Sequence, residues 1–82
     1  MLKLGTTTRL SPEETIKKAV AFFGPGGGYG LEITEQSPEH VCFEGGGGGV
    51  TVAVRAEERH TAVDITSTEW DAQAWEFIGK LR

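Results

Sequence analysis

Eighty-two residues with eight basic and twelve acidic side chains, a net charge of −4 and 38% hydrophobic residues describe one small acidic domain. Scattered lysines and arginines on an acidic chain give little of the clustered positive surface that nucleic-acid binding uses to neutralise phosphates, so that class is set aside. No apolar run reaches the ~18 residues that cross a bilayer, and MLKLGTTTRL carries no secretory apolar stretch. Cys42 is the sole cysteine, so no intramolecular disulfide forms and the chain reads as cytoplasmic, without a membrane partner.

The first alternation, Leu2 and Leu4 about Lys3, predicts a short edge strand running to about Thr8. Ser11-Pro12-Glu13-Glu14 then has the form of a helix start: Ser11 caps, Pro12 suits the first helical position and Glu14 completes an S-x-x-E box. Behind it Ile16, Ala19, Val20 and Phe23 recur at helical spacing while Lys17 and Lys18 point away, and Gly24-Pro25 ends the pattern.

From Tyr29 the period becomes two. Leu31 and Ile33, then Val41 and Phe43, then Val50, Val52 and Val54, then Val63 and Ile65 alternate with polar or small residues. Ser37-Pro38-Glu39, five glycines and a turn over Glu57 to Arg59 separate the runs. Connections this short favour antiparallel neighbours, so the four runs read as a meander with one apolar face. A second helix is expected from Ser67 or Thr68, with Glu69 and Asp71 in its first turn and Lys80 and Arg82 in its last. Trp70, Ala74, Phe77, Ile78 and Leu81 form its apolar stripe.

The expected fold is therefore α+β, a two-layer sandwich in the order β-α-β-β-β-β-α, with an antiparallel sheet of four to five strands and both helices on one face. That element order resembles a pared-down helix-grip fold of the START and Bet v1-like domains, in which a curved antiparallel sheet wraps a carboxy-terminal helix. The resemblance implies a pocket between sheet and helix, and with it a carrier or enzyme for a small apolar molecule. It maps no individual residue.

Ten of the twelve glycines fall in two clusters, GPGGGYG at 24–30 and GGGGG at 45–49. Neither leads from a strand into a helix and no G-x-x-x-x-G-K-[ST] occurs, so a phosphate-binding loop is not indicated. Flexible connectors are the simplest expectation. A meander would, however, bring both clusters and the Ser67-Thr68 region to one end of the sheet, where Gly26, Gly28, Tyr29, Gly47, Thr68 and Trp70 are the candidate ligand-binding residues. Phe22 and Trp75 fall off the centres of the helical stripes and are candidate interaction residues.

Chemistry-bearing residues are few. His40, Cys42 and Glu44 share a strand face, but alternate side chains stand about 7 Å apart along a strand, too far for a nucleophile-to-base hydrogen bond. An intervening strand separates His60 from His40 and Cys42, and no CxxC or HExxH spacing occurs, so neither a metal nor a catalytic site is expected. Glu32, Glu44, Asp64 and Arg55 read as a solvated, charge-balanced outer face. A non-enzymatic binding or interaction domain without a cofactor follows, taking a small apolar ligand or a protein partner, as a monomer or weak homodimer. A homo-oligomer joined through edge strands, with Thr6 to Thr8 as the pairing segment, is the further alternative.

Overall fold

A computed structural model describes residues 1–24 and 27–81. The elements are β1 (Leu2–Thr8), α1 (Pro12–Phe23), β2 (Glu32–Gln36), β3 (His40–Gly45), β4 (Gly48–Ala56), β5 (Thr61–Thr68) and α2 (Asp71–Leu81). They form a five-stranded antiparallel sheet in the order β1-β5-β4-β3-β2, so the meander β2 to β5 is closed on one side by the amino-terminal strand. The expected α+β sandwich, with both helices on one face, is the fold observed.

α1 begins as its capping signal requires. Ser11 Oγ accepts from the Glu14 amide at 3.1 Å, and Glu14 Oε1 accepts from the Ser11 amide at 3.4 Å. Ile16, Ala19 and Phe23 turn inward. The helix ends at Gly24, which has an ordinary negative φ; its need for glycine comes from the Val20 carbonyl oxygen, which a Cβ would strike.

α1 lies over β3 and β4, and α2 lies over β5 and β1. Between them and the sheet sit Val41, Phe43, Val50, Val52, Val63 and Ile65 from the strands, meeting Phe23, Phe77 and Ile78 from the helices. Phe23, Phe43 and Phe77 are fully buried, and Phe23 has its ring centroid 5.4 Å from Phe43 and 5.3 Å from Phe77. Among the described residues no buried side-chain nitrogen or oxygen lacks a hydrogen-bond partner.

Three expectations are corrected. α2 starts at Asp71, not at Ser67 or Thr68, because β5 keeps its ladder longer: Ser67 pairs with Leu2 and Val50, and Thr68 pairs with Gly49. The chain reverses at Glu69, a non-glycine residue at φ 68°, and the Trp70 carbonyl accepts the first helical bond from Ala74 at 2.9 Å. Second, the five-glycine run is no flexible connector. Gly45, Gly48 and Gly49 belong to strands, and only Gly46 and Gly47 turn, with φ of 61° and 82°, the two positive values a tight I′-type hairpin turn demands. Third, β2 is bulged. Ile33 pairs with Phe43 but Glu35 pairs with Cys42, so the register slips by one between them.

Candidate functional site

The glycine turn and the start of α2 meet, as the topology anticipates. Trp70 Nε1 donates to the Gly45 carbonyl at 2.9 Å, and its ring stands edge-on to Tyr29 at 5.9 Å. Tyr29 in turn lies 5.6 Å from Phe22, which lies 5.5 Å from Phe77, so an aromatic series runs from the turn into the core. Gly47 and Thr68 line a recess of about 480 Å³ with Glu44, Gly45, Gly48 and Gly49. Gly28, at φ 86°, is exposed in the segment before Tyr29. Gly26 lies outside the described residues.

The contacts explain the glycines sterically. A Cβ on Gly46 would stand 2.9 Å from the Trp70 ring, one on Gly48 would strike the Thr68 carbonyl, and one on Gly45 would reach 3.0 Å from Leu31. Tight packing of Trp70 and β5 against the hairpin therefore selects these residues. Glu44 is the titratable side chain lining the recess, and Thr68 its hydroxyl, so the recess offers no acid-base pair.

The two interaction candidates separate. Phe22 is half-buried, edge-on to Phe23 at 4.9 Å and capped by the Lys80 ammonium 5.8 Å from its centroid, and so belongs to the rim of the core. Trp75 is 55% exposed. Its position on α2 follows from helix phase: Phe77 and Lys80 face α1 through Phe22, and at 3.6 residues per turn Trp75 points to the opposite flank. That flank is the side of β1, an edge of the sheet.

The β2–β3 hairpin holds a cluster that alternation does not reveal. Glu35, His40 and Cys42 bring a carboxylate oxygen, a ring nitrogen and a sulfur within 4.8 Å of one another, with His40 Nε2 3.2 Å from Glu35 Oε1. The 7 Å strand spacing expected to keep His40 and Cys42 apart is thus overcome by side-chain convergence, and the carboxylate beside them is Glu35 rather than Glu44. The bulge is the cause. Without it Thr34 would oppose Cys42 and Glu35 would face inward with Ile33. A charged residue in phase with Leu31 and Ile33 was the available signal. On the same outer face Arg55 pairs with Glu57 at 3.2 Å, not with Glu44 or Asp64.

A wider recess of about 570 Å³ lies near the β4–β5 turn, lined by Arg9, Arg59 and His60 with Leu10 and Leu81. Its buried hydroxyl is already committed, Thr8 Oγ1 donating to the Leu81 carbonyl at 3.1 Å.

No protein-family model and no curated sequence matches the chain. Among solved structures it is similar to the solution structure of the Aha1 dimer from Colwellia psychrerythraea, with a TM-score of 0.66 and 18% identity, over 99% of this chain and 93% of that one. At that identity the likeness is one of fold. It accords with a small α+β domain of helix-grip-like architecture. Among the described residues no helix is long and apolar enough to cross a membrane.

Proposed function

We propose that the chain is a non-enzymatic interaction domain that pairs with a second copy through the free edge of β1, with Trp75 of each copy at the joint. The contrast between the two sheet edges carries this reading. β2 is five residues long, is interrupted by a bulge and bears Glu32 and Glu35, the devices that keep an edge from pairing. β1 has seven residues in unbroken register with β5 and a single charge, Lys3. An edge of that length and neutrality is a template for another strand.

The exposed indole supports the same edge. Trp75 sits on the flank of α2 that overhangs β1, so strand pairing between two copies would bring two α2 helices side by side and cover both rings. The structural neighbour was solved as a dimer, which is in keeping with this reading. A carrier of a small apolar ligand would need volume between helices and sheet, and that space is occupied by Phe23, Phe43 and Phe77. Places left for a small molecule are surface recesses such as the one at Gly47 and Thr68.

Sedimentation over a concentration series tests the proposal. Association that Trp75→Ala weakens supports it, and a wild-type chain that stays monomeric at every concentration removes it.

A further inference from the structure

We propose that Glu35, His40 and Cys42 form a divalent transition-metal site, a three-ligand set on one hairpin with a fourth position open. Sulfur, imidazole and carboxylate together suit Zn²⁺ or Co²⁺, whereas Mg²⁺ and Ca²⁺ require oxygen ligands throughout. Tetrahedral bonds of about 2.0–2.3 Å place neighbouring ligand atoms roughly 3.4–3.6 Å apart. The observed His40 Nε2 to Glu35 Oε1 distance of 3.2 Å is close to that, and the sulfur lies within 4.8 Å of both. Glu35 is two-thirds exposed, so its long side chain can close the remaining distance without disturbing the core.

The surroundings orient the ligands. Ser37 Oγ lies 2.9 Å from His40 Nδ1, directing Nε2 towards Glu35. That hydroxyl is itself fixed by the amides of Glu39 and His40, at 3.2 and 3.1 Å, in a turn closed by the Ser37 amide donating to the His40 carbonyl at 2.8 Å. With both lone pairs of Ser37 Oγ taken by the two amides, its hydroxyl donates to Nδ1 and the imidazole proton sits on Nε2 towards Glu35. A metal on Nε2 replaces that proton and moves the imidazole proton to Nδ1, where Ser37 Oγ accepts it by giving up one amide bond, the outer-shell contact that metal-bound histidines keep. Across the sheet Thr51 Oγ1 donates to Cys42 Sγ at 3.5 Å, a bond that a metal-bound thiolate retains. Metal binding displaces the thiol proton to solvent. Because the three ligands span seven positions of one hairpin, little chain entropy opposes closure.

Titration of the reduced full chain with Co²⁺ alone tests the site. We expect about one equivalent per chain to bind, with a thiolate-to-cobalt charge-transfer band that Zn²⁺ abolishes and Mg²⁺ in excess does not. Cys42→Ser should remove the band, Glu35→Gln and His40→Gln should each weaken binding at least ~10-fold, and Ser37→Ala should weaken it ~10-fold with the band's shape retained. Amide spectra establish that each variant folds, and the exposed Glu35 makes its variant the least disruptive. The proposal is overturned by absence of the band in the wild type, by half an equivalent per chain, which would mean two copies clamping one ion, or by unchanged affinity in folded Glu35→Gln and His40→Gln.

Discussion

The Trp70 indole N–H donates to the Gly45 carbonyl at 2.9 Å and so ties the start of α2 to the β3–β4 turn across a separation of 25 residues. Removing the donor leaves that carbonyl to solvent. Trp70→Phe should cost about 1–3 kcal/mol in urea unfolding, since a hydrogen bond is lost together with part of the indole's contact with the glycine turn and Tyr29. A cost near zero would mean that the bond contributes nothing net.

The glycine turn makes a graded prediction. Gly47→Ala meets no neighbouring atom, so its cost is that of a left-handed φ, about 1 kcal/mol. Gly48→Ala has an ordinary φ but strikes the Thr68 carbonyl, and should cost about 3 kcal/mol or more by forcing β4 from β5. Equal costs in chemical denaturation would show that the β4–β5 contact yields easily.

Phe23 fills the space that a helix-grip ligand would need. Phe23→Ala should cost ~3–5 kcal/mol, enough to unfold a large share of a marginal domain, while Phe22→Ala, at the rim, should cost distinctly less. Thermal unfolding of the two variants gives the order directly.

Pairing of β1 with its copy makes a prediction with a sign. In an antiparallel pairing centred on Gly5, Lys3 of one copy stands opposite Thr7 of the other, twice by symmetry. Thr7→Glu should then tighten association and Thr7→Lys weaken it, each by about 0.2–1 kcal/mol per pair. Both substitutions are on an exposed position and should leave monomer stability within about 0.5 kcal/mol. Shifts of the same sign in both variants would exclude that register.

What the sequence disclosed was local. The capping box at Ser11 and Glu14, the period of β3, β4 and β5 and the Ala74, Phe77, Ile78 and Leu81 stripe of α2 all lie within a few residues, and each is realised as read. The start of α2 is not legible locally, because Ser67 and Thr68 are good caps in isolation and only their partners Leu2 and Gly49, far along the chain, hold them in β5. The place of Glu35 is hidden for a related reason: one extra residue at the bulge reverses the face of everything after it. The convergence of Tyr29, Trp70 and the glycine turn was legible from topology, whereas the steric demand at Gly46 and Gly48 depends on how closely Trp70 and Thr68 approach. Trp75 was legible as off-stripe; its place over the β1 edge required the positions of both helices.

Sedimentation equilibrium of the wild-type chain and Trp75→Ala across a wide concentration range tests the central claim most directly. We expect the wild-type mass to rise from 8.8 kDa towards twice that value, and Trp75→Ala to remain near the chain mass at concentrations where the wild type is paired. A wild-type mass of 8.8 kDa at every concentration, or association indifferent to Trp75, would contradict pairing through this edge.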